Sequence, residues 1–130
     1  KAQELAVGDN YQKRQFEDLE SIAAGITNEK GRVHLKFGTP LTQETLSVAA
    51  AVEAIDKQMV ENYRLFQTNI WAHEALGGDN MTQRPEVPTA TISHAQFMAR
   101  FDGLTPLERN LALSAYAKPV FNWLHHLAKS

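Results

Sequence analysis

The sequence has no cysteine and no long run of apolar residues. Without cysteine, the 130-residue chain forms neither disulfides nor thiolate metal sites. No apolar stretch approaches the ~18–20 residues that a membrane-spanning helix requires, and no signal peptide is recognised. The chain is therefore interpreted as one globular domain in the cytoplasm, with peripheral attachment to the inner face of the cell membrane left open.

An excess of positive charge is also missing. Lysine and arginine number 13 against 15 acidic residues, so the formal net charge is −2, and the isoelectric point is near 6.2. Binding to a nucleic-acid backbone depends on clustered positive charge. Nucleic acid is therefore not expected as a partner.

Common catalytic and metal-binding motifs are absent as well. No second histidine follows His73-Glu74 at the spacing of a zinc motif, and the adjacent His125 and His126 point about 100° apart on a helix. No serine stands in a Gly-x-Ser-x-Gly elbow, and Gly77-Gly78 lacks the lysine of a phosphate loop. The sequence therefore predicts no catalytic residue, no metal ligand and no cofactor.

What the sequence does contain is a series of helical patterns, marked by apolar spacing and capping residues. They cover residues 1–7, 16–26, 42–65, 69–76, 93–101 and 105–130. Thr42 is the candidate N-cap of the third pattern, which is expected to be the longest helix. Thr105-Pro106-Leu107-Glu108 is a strong helix start, whereas Pro119 is expected to kink or break that last helix.

A single segment, Lys30–Leu41, has a clear β-strand pattern. The apolar residues Val33, Leu35 and Phe37 alternate with polar ones, which is the period of a half-buried strand. A weaker second strand is predicted at residues 87–92. The predicted fold class is therefore mainly α with one or two short strands.

The polar face of this strand carries positive charge. Arg32, His34 and Lys36 point the same way, and Lys30 precedes them. Such a row suits a phosphate contact, and these four residues are the predicted substrate-binding residues. The alternative, which we favour, is a water-facing surface whose lysines discourage edge-to-edge pairing of strands.

Residues 1–78 also carry a family resemblance. The motifs that support it are Tyr11-Gln12-Lys13, Phe16-Glu17-Asp18-Leu19, Lys30-Gly31-Arg32-Val33-His34, Phe37-Gly38-Thr39-Pro40-Leu41, Arg64-Leu65-Phe66 and Trp71-Ala72-His73. In this order and spacing they resemble the C-terminal region of bacterial glycerolipid acyltransferases, the glycerol-3-phosphate and lysophosphatidic acid acyltransferase superfamily.

The resemblance implies part of an α/β enzyme that transfers a fatty acyl group from acyl-CoA or acyl carrier protein to a glycerol-phosphate acceptor. The catalytic His-x-x-x-x-Asp motif of that family is missing, because the residues five positions after His34, His73, His94 and His125 are Thr39, Gly78, Ala99 and Ser130. The chain would thus be a non-catalytic C-terminal piece of a larger α/β acyltransferase fold. Its partner would be the upstream catalytic domain of the same polypeptide, and alone it would be inactive.

In this interpretation residues 1–78 form the acyltransferase-like segment, 79–92 a loop and 93–130 a C-terminal helical pair. Pairing of the free strand edge in a homodimer stays open. A different interpretation is a free-standing helical domain that binds a protein through the face of Met59 and Phe66 or through the face of Trp123. A small-molecule-binding helical domain is a third, for which the sequence gives no pocket signal.

Overall fold

A computed structural model describes residues 14–29, 31–42, 47–78 and 83–129. Five helices lie in these residues: α1 Glu17–Thr27, α2 Val48–Asn62, α3 Gln67–Ala75, α4 His94–Ala99 and α5 Pro106–Lys129. They hold 61% of the described residues, which contain no β-strand. The predicted mainly α class is confirmed.

The chain divides into two compact units, one ending at Leu35 and one beginning at Lys36. In the described part of the first unit, α1 forms where the helical pattern predicts it. Three acidic residues lie in its first turn, where they suit the positive end of the helix dipole. Phe16, just before the helix, has φ +68°, in the left-handed region. The Glu17 carboxylate accepts the Arg14 backbone N–H at 3.2 Å, and this contact helps to fix the entry to the helix.

The second unit is built around the packing of α3 against α5, with α4 beside α3. Phe97 of α4 is fully buried in its main core cluster. Its ring lies 5.2 Å from the rings of both Phe101 and Tyr116 in edge-to-face geometry, a favourable arrangement for aromatic pairs. Ala72 and Ala117 are buried in the same cluster, and their small side chains permit close approach of the helices.

A second core cluster lies along α5, toward its C-terminus. Leu65, Ile70 and Val120 are buried in it, and Val87 and Trp123 pack against it. The segment between α3 and α4 thus contributes to this core without being helical. Trp123 helps to hold the last turns of α5 against the rest of the unit.

Local capping defines the helix starts of this unit, as the sequence predicts. Ser93 and Gln96 exchange backbone-to-side-chain hydrogen bonds at 3.1 and 2.8 Å, and Thr105 and Glu108 do the same at 3.3 and 2.8 Å. Asn69 is the third helical residue of α3 rather than its cap, and its Oδ1 accepts the Phe66 backbone N–H at 2.8 Å. These contacts satisfy donors that a helix N-terminus otherwise leaves unpaired.

The predicted strand at residues 32–37 is absent from the described structure. Residues 31–41 have no regular secondary structure, and no described segment pairs with their backbone as a strand. The alternating pattern is present, but a strand forms only when a second backbone supplies hydrogen-bond partners. The predicted strand at residues 87–92 is also absent. Val87 and Ile92 instead pack against the two core clusters as part of an irregular segment.

Two predictions about helices also need correction. Thr42 is not the N-cap of α2. The helix begins at Val48, after Ser47, whose Oγ accepts the Ala50 backbone N–H at 3.1 Å.

At 24 residues, α5 is the longest of the described helices, and it continues through Pro119. The buried neighbours Ala117 and Val120 hold this part of α5 in the core, which offsets the lost backbone hydrogen bond. The helix end predicted at residues 1–7 lies outside the described residues.

Candidate docking surfaces

The apolar stripe of α2 faces solvent. Val48, Val52, Ile55 and Met59 follow one another at steps of four, three and four residues, so they share one face of the helix. All four are exposed, from 43% at Ile55 to 82% at Val48. The half-buried positions of α2 include three alanines, at positions 50, 51 and 54. The helix thus contacts α5 while its large apolar side chains stay uncovered.

The predicted strand segment exposes its apolar residues in the same way. Val33 is 80% exposed, Leu35 76% and Phe37 84%. The apolar residues of the helical pattern at α1 are exposed as well: Phe16, just before the helix, and Leu19, Ile22 and Ile26 within it. The described residues therefore carry three sets of apolar side chains that have the periodicity of buried faces but are not buried.

The irregular segment after Phe37 is joined to α2 by one side chain. The Gln58 carboxamide accepts the Thr39 backbone N–H at 2.6 Å and donates to the Thr39 backbone carbonyl at 3.1 Å. A side chain at Gly38 would collide with the Gln58 amide oxygen. Glycine at position 38 thus permits the close approach of the Gln58 side chain to the backbone.

The structure describes three of the four predicted phosphate-binding residues. Arg32, His34 and Lys36 are exposed, and the described residues supply none of them with a hydrogen bond or ion pair. Arg32 and His34 belong to the first unit and Lys36 to the second, while Lys30 lies outside the described residues. Their role in phosphate binding stays a prediction.

The histidines do not form a metal centre in the part of the chain that the structure describes. No group of three or more metal-binding side chains occurs there. His73 is buried, with its ring 4.9 Å from that of Phe121, and its Nδ1 has no hydrogen-bond partner. His94 lies at the surface with its ring 5.2 Å from the Trp71 ring. Both histidines are therefore packing residues in this structure.

The faces proposed from the sequence for a protein partner differ in exposure. Met59 is 64% exposed, whereas Phe66 and Trp123 are half-buried. Sequence reasoning chose Met59 from its place in the helical stripe. The same stripe marks Val48, Val52 and Ile55, but nothing in the sequence alone distinguishes an exposed stripe from a buried one.

A cleft of about 320 Å³ was not foreseen from the sequence. It lies where the end of α2, the residues after it, the segment before α4 and the last third of α5 meet. Glu61, Glu86, Tyr63 and Trp123 are among its lining residues. They are far apart in the sequence, so only the packing of α2 and the irregular segment against α5 brings them together.

Comparisons with protein-family models, curated proteins and solved structures find no match to this chain. None of the described helices has the length and apolar character needed to cross a membrane.

Proposed function

We propose that this chain is the non-catalytic C-terminal portion of a glycerolipid acyltransferase and docks against the catalytic region of the same polypeptide. The complete enzyme would transfer a fatty acyl group from acyl-CoA or acyl carrier protein to a glycerol-phosphate acceptor. The observation that carries the proposal lies in the segment with the family resemblance. Its apolar residues Val33, Leu35 and Phe37 are 76–84% exposed, although they alternate as a buried strand face does.

The free energy available from covering these side chains supports a docking role. Full burial of a side chain such as leucine or phenylalanine contributes roughly 1.5–3 kcal/mol. Large contiguous apolar patches on a protein surface mark interaction sites. A partner surface that covers this segment therefore gains several such contributions.

The same segment is also suited to strand addition. Residues 31–37 have backbone donors and acceptors that no described strand pairs. An extended segment of this kind can join the edge of an existing sheet, which provides main-chain hydrogen bonds and side-chain pockets together. In the proposed enzyme, that sheet belongs to the catalytic region, and residues 32–37 become the strand that their alternation predicts.

The role assigned to this chain is non-catalytic because the sequence lacks the family's His-x-x-x-x-Asp motif. His73, the histidine in the later part of the resemblance, is buried against Phe121. Such a side chain is not placed to take a proton from an acceptor hydroxyl, which requires hydrogen-bond reach of the substrate.

A helical protein-interaction domain is the second candidate, and the exposed stripe of α2 favours it. Val52, Ile55 and Met59 lie on one face with the spacing used by helices that dock into a partner. This candidate requires no catalytic region. It differs from the first in predicting that the partner is a separate protein.

An acyl-transfer assay separates the two candidates. The polypeptide encoded by the complete reading frame is incubated with acyl-CoA or acyl carrier protein and with glycerol 3-phosphate or lysophosphatidic acid. We expect acyl transfer by the complete polypeptide and none by residues 1–130 alone. Absence of transfer with every donor and acceptor, or turnover by residues 1–130 alone, would overturn the first candidate.

A further inference from the structure

The cleft beside Trp123 has the size of a small binding site. Its volume of about 320 Å³ lies at the lower end of the roughly 300–1,000 Å³ that small-molecule pockets occupy. This space holds one side chain or a molecule of similar size. The buried Leu65 and the half-buried Pro85 supply apolar surface to its lining.

The charged groups of the cleft select against an anion. Two acidic residues, Glu61 and Glu86, line it together with His126. Glu61 Oε1 lies 3.5 Å from His126 Nε2, a contact that is an ion pair only when the imidazole is protonated. It also lies 3.9 Å from Lys57 Nζ in an exposed pair, which contributes little. Glu86 makes no ion pair with any described residue, so its carboxylate favours a cation in the cleft and disfavours phosphate.

The aromatic residues narrow the class of cation further. Trp123 and Tyr63 line the same cleft as the two glutamates. Aromatic faces attract guanidinium and ammonium groups, and tryptophan does so most strongly. A planar guanidinium both stacks on an aromatic ring and donates two parallel hydrogen bonds to a carboxylate.

We propose that this cleft binds an alkylguanidinium cation, whose guanidinium group pairs with Glu61 and Glu86 and stacks on Trp123. The ligand is either a small molecule or an arginine side chain of a peptide, since both present the same chemical group. This site is independent of the acyltransferase proposal, because it uses neither the segment of residues 31–37 nor the exposed stripe of α2.

The test is a titration of the isotope-labelled chain monitored by NMR. The indole N–H signal of Trp123 reports binding. The probes are butylguanidinium for a free cation, an acetylated and amidated Ala-Arg-Ala peptide for a side chain, and the same peptide with citrulline as the uncharged control. Trp71, which packs against the main core cluster, is the internal reference. We expect the Trp123 signal to shift with both guanidinium probes. The citrulline peptide should shift neither the Trp123 signal nor the Trp71 signal.

Variants of the two glutamates test whether their carboxylates bind the cation. Glu61→Gln and Glu86→Gln should each weaken binding, and the double variant should weaken it by at least about tenfold, as the loss of charge-assisted hydrogen bonds implies. Glu53→Gln is the matched control, because Glu53 is an exposed carboxylate of the same helix and does not line the cleft. Amide spectra verify that each variant is folded.

Tighter binding of the peptide than of butylguanidinium identifies an arginine side chain as the ligand, and equal binding shows that the free cation suffices. The proposal is overturned if neither guanidinium probe shifts the Trp123 signal, if citrulline shifts it equally, or if the double variant binds as well as the unchanged chain.

Discussion

The Gln58 side chain pairs with both backbone groups of Thr39. Its Oε1 accepts the Thr39 N–H at 2.6 Å, and its Nε2 donates to the Thr39 carbonyl at 3.1 Å. A carboxamide has the same donor and acceptor as a peptide group, so Gln58 supplies what a neighbouring strand would supply. This contact joins the irregular segment after Phe37 to α2.

Replacing Gln58 with alanine should release this segment from α2 without unfolding the helix. We expect the Thr39 amide to exchange its hydrogen markedly faster, because its acceptor is removed. The free energy of unfolding should fall by about 0.5–1.5 kcal/mol, the range for a typical hydrogen bond. Hydrogen exchange read by NMR measures the first effect and urea denaturation the second.

Lys57→Ala is the control for Gln58→Ala, because it shortens a neighbouring exposed side chain of α2 that makes no contact with Thr39 in the described structure. Unchanged exchange at Thr39 in Gln58→Ala would show that the two hydrogen bonds do not hold the segment against α2.

Gly78 should not tolerate a side chain. A Cβ at this position would overlap the imidazole of the buried His73. The His73 ring also packs against the Phe121 ring, at a centroid distance of 4.9 Å. Gly78→Ala should therefore destabilise the chain by about 1–3 kcal/mol, as overpacking does. Thermal or urea unfolding measures the change.

A double-mutant cycle with His73→Ala identifies the cause. Removing the imidazole makes room for the added methyl group, so Gly78→Ala should cost much less in the His73→Ala background. Additive costs of the two substitutions would show that the contact with His73 is not responsible.

Pro119 should lower the stability of α5. It lies inside a continuous helix and cannot donate a hydrogen bond to the carbonyl of Ala115. Pro119→Ala should raise the free energy of unfolding by up to about 3 kcal/mol, the difference between the two residues inside a helix. Pro119 is half-buried, so the loss of its ring packing makes this rise in the free energy of unfolding smaller.

Pro106→Ala is the matched control, because Pro106 is the first residue of the same helix, where proline is well suited. It should leave the stability nearly unchanged or lower it slightly. A fall in stability for Pro119→Ala would mean that packing of the proline ring outweighs its effect on the helix.

The helix starts of α4 and α5 could be predicted because their causes are local. Ser93 with Gln96 and Thr105 with Glu108 are three residues apart in the sequence, and each pair forms its capping contacts within one turn. The helical pattern that begins at Asn69 predicts α3, but it does not predict that Asn69 makes a contact with α5 as well as one within α3. Its Nδ2 donates to the Tyr116 carbonyl at 2.9 Å, 47 positions away, which no local pattern reveals.

The absence of the strand and the presence of the cleft could not be predicted, because both depend on distant parts of the chain. The alternation at residues 32–37 predicts how a strand would be buried, but only a second backbone makes it a strand. The cleft needs Glu61, Glu86 and Trp123 together, and their approach follows from the packing of α5. The exposed stripe of α2 has the spacing of a core stripe, so its exposure became evident only in the structure.

The most direct test of docking through the predicted strand is cysteine labelling at neighbouring positions. The chain has no cysteine of its own, so Phe37→Cys and Lys36→Cys each add a single thiol to residues 1–130. In the proposed complete polypeptide, any cysteines outside these residues are first replaced. Both positions are exposed in this structure, and a maleimide should label both rapidly in residues 1–130 alone. In the complete polypeptide, the account predicts strong protection at position 37 and continued labelling at position 36, because adjacent strand residues point to opposite faces. Equally rapid labelling of both positions in the complete polypeptide would contradict the account.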